Sequence, residues 1–230
     1  MMEFLLSALS WLLSPDRYEP GALYSVPDRL VEHLQIVAAC VAIAAIVAVP
    51  LGCWIGHTGK GRRVVVGITS AARAAPALGL LILLVMLLTD PLGTRQAQLI
   101  GCGVALSVLA IPSILAGTYS GIEGVDRVTI DAARASGMTE WQILTKVELP
   151  LAAPVLIGGL RAGVLMVVAT ATIASFAGFG GIGAIIAAGI GLNDYDLMLG
   201  ASILVALLAI VIDLLLALVQ RSAQRARHLA

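Results

Sequence analysis

Five long apolar windows constrain this chain of 230 residues more than any other feature. They are Leu34–Gly56, Val64–Leu88, Ala97–Ile122, Leu151–Asn193 and Leu197–Gln220. The first and third windows carry no charged residue, and the other three carry only Arg73, Arg161 and Asp213 respectively. A bilayer core of about 30 Å needs about 20 apolar residues of helix. The sequence therefore predicts an all-α integral membrane protein with five transmembrane helices, the fourth window being long enough to turn at a glycine cluster.

The composition excludes both an ordinary soluble domain and a nucleic-acid-binding one. Hydrophobic residues make up 60% of the chain and charged residues 12%, whereas a soluble domain is about a quarter charged. Fourteen basic residues balance fourteen acidic ones, so there is no basic field to attract nucleic acid. Cys40, Cys53 and Cys102 lie in apolar runs without the spacing of a zinc site or the even number of a disulfide framework. We interpret them as packing residues and expect no metal site.

The distribution of Lys and Arg predicts the orientation. Nine basic residues follow the first, third and fifth windows, and three lie on the opposite loops. The nine are Lys60, Arg62, Arg63, Arg127, Arg134, Lys146, Arg221, Arg225 and Arg227, and the three are Arg17, Arg29 and Arg95. Because positive flanking charge stays in the cytoplasm, we expect an external N-terminus and a cytoplasmic C-terminus. The expected parts are an external or interfacial segment (1–33), a five-span domain (34–221) that includes a cytoplasmic loop (119–153), and a cytoplasmic tail (222–230).

The first residues, Met1–Ser14, do not have the pattern of a signal peptide, because no Lys or Arg precedes the apolar run and no small-residue cleavage site follows it. Glu3, Ser7, Ser10 and Ser14 share one helical face, with apolar residues largely opposite. The pattern predicts a helix lying in the outer membrane interface. A loosely ordered tail is an equal alternative.

The polar segment between the third and fourth windows has the pattern of two short helices. Ser120-x-x-Glu123 and Thr139-x-x-Gln142 each fit a capping box, which can start a helix. Gly137 lies between them, where a left-handed residue can end the first helix. The segment therefore predicts a helix–turn–helix on the cytoplasmic face.

The first of these helices is amphipathic. Its apolar stripe consists of Val125, Val128, Ala132 and Ala135 at i+3 and i+4 spacing. The charged residues lie away from the stripe. An apolar stripe of this kind needs a surface that covers it.

The same segment carries a motif with long, fixed spacing. It reads Asp131-Ala132-Ala133, three residues, Gly137, nine residues, Val147, one residue, and Leu149-Pro150. It resembles the hallmark of the permease subunits of binding-protein-dependent ABC importers, in their small five-span form (a methionine-permease-like fold): Glu-Ala-Ala, three residues, Gly, nine residues, Ile, one residue, Leu-Pro. Asp for Glu and Val for Ile preserve charge and shape. The resemblance covers roughly Glu32 to Arg221.

The resemblance implies a function. In that family the motif forms the coupling helices that dock on a separate ATPase, so the chain would form half of a translocation path in the bacterial inner membrane. The implied partners are ATPase subunits that bind ATP and Mg²⁺, a second permease that is a copy or a paralogue, and an extracytoplasmic substrate-binding protein. The sequence contains no G-x-x-x-x-G-K-[ST] phosphate loop, so we expect neither enzymatic activity nor a cofactor in this chain. A stand-alone channel or secondary transporter is the alternative, although five spans without an internal repeat make a poor closed pathway.

Two charges fall inside the apolar windows at similar expected depth. Arg73 is ten residues beyond Arg63, which places it about 15 Å into the bilayer. Asp213 is eight residues before Arg221, or about 12 Å deep. The two are candidate partners, and either mutual neutralisation or a role in the translocation path would account for them. Pro76 interrupts the second window, so we expect either a broken helix beside the path or a simple kink.

The glycine cluster after Phe176 spells G-x-G-x-x-G, but no strand precedes it, so a dinucleotide site is excluded. The resembling family has a similar glycine-rich turn, which implies an outer gate and a docking surface for the binding protein. The residues at these positions are Phe179, Gly180, Gly181 and Gly183.

The substrate class is indicated only by resemblance. Glu32-His33-Leu34-Gln35-Ile36-Val37 and Pro50-Leu51-Gly52 look like the osmoprotectant branch, which imports glycine betaine, choline, carnitine and similar quaternary amines. Importers of methionine, phosphonate or sulfonate remain alternatives. An intramembrane peptidase is excluded because the histidines lie at the ends of the windows, apart from any Ser, Asp or H-E-x-x-H partner.

Overall fold

A computed structural model describes residues 2–19, 21–22, 24–74 and 76–229 of the chain, with the side chains of residues 2–5, 70, 72–74 and 226–229 left out. Nearly all of the described chain is helical. The α-helices are α1 Met2–Leu13, α2 Val26–Thr58, α3 Arg62–Ala74, α4 Ala77–Leu92, α5 Thr94–Glu123, α6 Arg127–Ala135, α7 Glu140–Ile143, α8 Leu149–Ala174, α9 Ile182–Leu192 and α10 Tyr195–Leu229. Short 3₁₀ turns cover Pro15–Tyr18 and Ser175–Ala177, and a stretch of π-helix covers Leu144–Glu148.

Four helical segments in the described chain are long and apolar enough to cross a bilayer. They are Val26–Thr58, Thr94–Glu123, Glu140–Ala177 and Tyr195–Arg225. The second predicted span is instead two helices, α3 and α4, of 13 and 16 residues. Pro76, with an extended ψ of 117°, is the N-cap of α4. Proline has no N–H to donate to the preceding turn, so it interrupts the helix at this point. The interruption is therefore a break rather than a kink, and five continuous spans are not observed.

By contacts the described chain divides into two units, built from 1–41, 75–107 and 165–211, and from 42–74, 108–164 and 212–230. The core of the first unit joins α1 to α2, α9 and α10. Its buried residues are Trp11, Leu12, Val26, Ile182, Ile185, Leu197 and Ala201. The Ser7 hydroxyl of α1 donates to the Asp196 carboxylate of α10. The predicted N-terminal helix is therefore present and packed, and the alternative of a loosely ordered tail is wrong.

Close helix crossings built on glycine hold the second unit together. Each of α2, α5 and α8 carries two glycines four residues apart, as in Gly117 with Gly121 on α5. A Cβ added to Gly117 would lie 2.5 Å from the Gly159 Cα of α8, and one added to Gly52 would lie 2.6 Å from the Thr118 Cβ. Small residues allow two helix backbones to approach closely. Helices in a bilayer associate largely through such packing, because lipid tails are as apolar as the side chains and provide no hydrophobic driving force.

The three cysteines are free and buried, with 3%, 7% and 0% of Cys40, Cys53 and Cys102 exposed. Their interpretation as packing residues is confirmed.

Candidate coupling surface and buried charges

The α6–α7 segment forms the predicted pair of short helices, but the first begins later than predicted. The prediction that Ser120 and Glu123 cap a new helix is wrong, because both belong to the last turn of α5 and the Gly124 N–H donates to the Ser120 carbonyl at 3.0 Å. Asp126 is the N-cap of α6, and its carboxylate accepts from the Val128 N–H at 3.1 Å. A carboxylate at this position satisfies an otherwise unpaired N–H group of the first turn.

Gly137 and Thr139 shape the turn between α6 and α7 as the sequence predicts. Gly137 has φ +81°, a left-handed conformation that a side chain disfavours. The Thr139 hydroxyl accepts from the Gln142 N–H at 3.3 Å, and the Gln142 side chain accepts from the Thr139 N–H at 2.9 Å. This reciprocal capping box fixes where α7 starts.

One face of α6 is buried against this chain's own residues. Val125, Ile130, Ala133 and Ile143 form a buried cluster, and Val147 packs against it. The prediction that Val125 shares an exposed stripe with Val128, Ala132 and Ala135 is therefore wrong, because Val125 is buried in this cluster. Ala133 is 9% exposed and belongs to this cluster with Ile143 of α7, so the prediction that it contacts another subunit is corrected: it packs inside this chain.

The opposite face of α6 is exposed, and α7 carries a further exposed residue. Val128 is 73% exposed, and Ala132 and Ala135 of the predicted stripe are also exposed, as is Asp131. Trp141 of α7, a residue that the motif spacing did not single out, is 72% exposed. The sequence feature that could have identified Trp141 is a large aromatic residue at the start of a capped, polar helix. Large exposed apolar side chains in one short segment mark an interaction surface.

The last two motif residues directly follow the π-helical stretch, inside the continuous helical segment Glu140–Ala177. Leu149 packs against a cluster of Cys53, Ile122 and Ala152, and Pro150 comes next in the chain. The motif therefore combines residues that anchor the segment with residues that leave a face free.

A chain of four ionisable side chains connects the segment to the end of α2. Arg134 donates to both carboxylate oxygens of Glu140, at 2.8 and 3.1 Å, and this pairing raises the pKa of the Arg134 guanidinium. His57, in the last turn of α2, lies with Nε2 3.3 Å from Glu140 Oε2 and with Nδ1 2.6 Å from Glu148 Oε2. A doubly protonated ring donates to both carboxylates, whereas a neutral ring donates to only one.

Glu148 is the most protected member of this chain, with 3% of its side chain exposed. It lies in the π-helical stretch, a wider turn that often occurs at functional positions. A buried carboxylate needs a partner, and His57 supplies it across 91 positions of sequence. Through His57, α7 and the π-helical stretch are both in contact with the end of α2.

The glycine-rich turn lies between α8 and α9. Gly178 and Gly181 have φ +84° and +76°, and Gly181 is the N-cap of α9. The Gly181 N–H donates to Glu32 Oε2 at 2.8 Å, and the Ser175 hydroxyl donates to the Gly180 carbonyl at 2.8 Å. A Cβ on Gly180 would overlap the Glu32 carboxylate, the end of a flexible side chain that would have to shift.

Two more predicted residues of this turn are buried. Phe179 is 7% exposed and Gly183 is buried. A Cβ on Gly183 would lie 2.4 Å from the Ser175 Oγ. Beside the turn, His33 is fully buried with Nε2 3.2 Å from the Val168 carbonyl. The turn is therefore a packed structure, fixed by α2 side chains.

Asp213 is paired with Arg161, a residue that the sequence analysis did not consider for it. Its two carboxylate oxygens accept from Arg161 Nε at 2.5 Å and from Nη2 at 2.7 Å. Arg161 Nη1 also lies 3.4 Å from Gln220 Oε1. Arg161 of α8, which the sequence did not suggest, is therefore a partner of Asp213, and the predicted Arg73–Asp213 pair stays a prediction because the side chain of Arg73 lies outside the described residues.

Comparisons with known proteins agree with this architecture. Residues 48–226 match the family described as binding-protein-dependent transport system inner membrane component. The glycine betaine/carnitine/choline permease OpuCB of Bacillus subtilis is 36% identical over 83% of this chain and 84% of its own length. The carnitine permease OpuCD of Listeria monocytogenes is 34% identical over 90% of each chain. A solved structure of the MetNI methionine ABC transporter has a TM-score of 0.76 at 23% identity and covers 89% of this chain and 99% of that one.

Proposed function

The chain belongs to the family of binding-protein-dependent transport system inner membrane components and is a permease subunit of an ABC importer; we propose that its substrates are quaternary-amine osmoprotectants such as glycine betaine, choline and carnitine. The observation that carries this proposal is the shared substrate class in the names of relatives 32–36% identical to most of this chain. The likeness to the methionine transporter, at 23% identity, supports the fold alone. Membership of this family also favours a subunit energised by an ATPase over a stand-alone channel.

We assign docking of the ATPase to the exposed face of α6–α7, formed by Val128, Asp131, Ala132, Ala135 and Trp141. Small Ala side chains permit close approach, and an aromatic residue amid small neighbours is a common anchor of an interface. The buried motif residues hold that face in position. ATP and Mg²⁺ bind the partner ATPase rather than this chain.

The orientation follows from the same assignment. The α6–α7 segment precedes α8 and the glycine-rich turn follows it, so a cytoplasmic coupling surface puts the turn and the N-terminus outside. There the turn of Phe179, Gly180, Gly181 and Gly183 forms an outer gate and meets the substrate-binding protein. The second permease is a copy of this chain or a paralogue.

Uptake in whole cells tests the substrate class. A bacterial host without its own osmoprotectant importers would express this chain with its binding protein and ATPase, and uptake of labelled glycine betaine, choline, carnitine and methionine would be measured. An ATPase with a disabled phosphate loop is the control. We expect ATP-dependent uptake of at least one quaternary amine. Uptake of methionine without any quaternary amine would overturn the substrate class but not the importer assignment.

Neighbouring alanines test the coupling surface. Ala132→Asp puts a charge on the exposed face, and we expect it to abolish co-purification of the ATPase while leaving the thermal stability of the permease unchanged. Ala133→Asp buries an unpaired carboxylate inside this chain, so it should lower the stability of the permease itself. Normal ATPase recovery with Ala132→Asp would overturn the docking assignment.

A further inference from the structure

The second unit contains a groove that the coupling assignment does not use. It has a volume of about 900 Å³ and lies among α5, α8 and α10. Its lining includes Ser120, Pro154, Gly158, Gly159, Gln220 and Gln224. The groove is wide because glycines form much of its α8 wall, and Gln220 and Gln224 give it polar atoms.

A second, adjoining depression is lined by the Arg161–Asp213 pair. Gln220 and Gln224 line both openings, and Arg161 and Asp213 line the second. The two charged side chains are 32% and 30% exposed. Charged groups in a membrane-crossing helix are too costly to leave against lipid, so they face water or protein.

The groove does not offer a free packing surface for another helix. Gly117 and Gly159, which could accept a helix, already pack against each other. The Gln220 amide is likewise engaged, donating to the Pro154 carbonyl at 2.9 Å. A wide groove that carries glutamine amides and adjoins a charged pair suits water better than a packed partner.

We propose that this face lines the aqueous translocation path, and that Arg161 and Asp213 form a transient site for a zwitterionic quaternary amine. Arg161 Nε and Nη2 donate to Asp213, and a substrate carboxylate, which has the same planar shape, would take the place of Asp213 on these two donors. The Asp213 carboxylate attracts the ammonium group, which has no N–H to donate and is held by charge alone. Together the two charges complement a molecule that carries both. This inference rests on the proposed function, which supplies the substrate class.

Cysteine labelling of the assembled importer in inside-out vesicles tests the water-filled path. Ser120→Cys and Ala217→Cys put thiols in the two openings, while Val219→Cys, two residues along α10, points to the other side of the helix and is the matched control. Val219 is 55% exposed, and the three native cysteines are buried, so the background is low. The probe is a charged, water-soluble methanethiosulfonate reagent.

We expect the groove thiols to react about tenfold faster than the control or more, because a thiol facing lipid does not ionise. Equal rates at all three positions would overturn the path.

Substrate protection tests the charged site. Glycine betaine should slow labelling of Ala217→Cys, and choline, which lacks a carboxylate, should slow it less. In the neutral background Arg161→Gln with Asp213→Asn, whose amides can still hydrogen-bond, labelling should persist but protection should disappear. Undiminished protection in that background would overturn the site. Uptake by the unaltered importer reports the substrate class independently, so failure of the site and failure of the proposed function are distinguishable.

Discussion

Replacing His57 with Ala should destabilise the permease by leaving the Glu148 carboxylate buried without its partner. Glu148 is 3% exposed and the His57 ring, 2.6 Å away, is 16% exposed. Removing one member of a buried pair costs about 3–5 kcal/mol, and the partial exposure of His57 places the expected loss at about 3 kcal/mol. For a chain of this length that corresponds to a fall in melting temperature of roughly 6–12 °C.

A double-mutant cycle separates loss of the His57–Glu148 contact from loss of packing. Glu148→Gln removes the buried charge but keeps a hydrogen-bonding amide. In that background His57→Ala should cost only about 1 kcal/mol, the value of an ordinary hydrogen bond, which gives a coupling energy of about 2 kcal/mol. Lys60→Ala, an exposed change three residues after His57, should have no effect.

The assay is thermal unfolding of the purified permease in detergent, followed by a thiol-reactive dye that reports exposure of the buried cysteines. Free energies that add to within about 0.5 kcal/mol would refute the reasoning. Additivity would mean that His57 and Glu148 contribute through separate contacts, and that the end of α2 is not tied to the coupling segment by this pair.

Three further changes test particular contacts. Gly117→Ala should cost about 1–3 kcal/mol in thermal unfolding because its Cβ would meet the Gly159 backbone, whereas Gly103→Ala in the same helix, with open space around it, should be neutral or stabilising. Gly137→Val should lower stability by about 1–2 kcal/mol because φ is +81°, and Gly137→Asn should cost less; equal losses would argue against left-handed strain. Trp11→Ala should remove about 3–5 kcal/mol and speed proteolytic cleavage of α1, while unchanged cleavage would show that α1 is held by other contacts.

The sequence predicted features that depend on local chemistry. The Thr139 capping box and the Gly137 turn are confirmed because each is determined by residues within one turn of helix. The spans follow from hydropathy, since the bilayer sets the length that an apolar helix needs. Pro76 breaks the second window for an equally local reason.

Other features depend on which helix lies beside another. Ser120 and Glu123 have the residue types and spacing of a capping box, but both lie within the long helix α5. The periodicity of α6 identifies an apolar face without saying whether this chain or a partner covers it. The chain itself covers Ile130 and Ala133 and leaves Val128 exposed.

The buried charges illustrate the same limit. Depth alone allowed Arg73 as a partner for Asp213, yet α8 brings Arg161 to it from 52 positions away. The His57–Glu148 contact likewise joins residues 91 positions apart. No local pattern records such a pairing, because helix packing determines it.

ATP hydrolysis by the reconstituted importer tests the central claim most directly. Proteoliposomes containing this chain and its ATPase would be assayed with and without the binding protein loaded with glycine betaine. We expect loaded binding protein to stimulate hydrolysis and drive uptake, and Ala132→Asp on the exposed coupling face to abolish both. Stimulation that survives Ala132→Asp, or glycine betaine uptake without any ATPase subunit, would contradict the account.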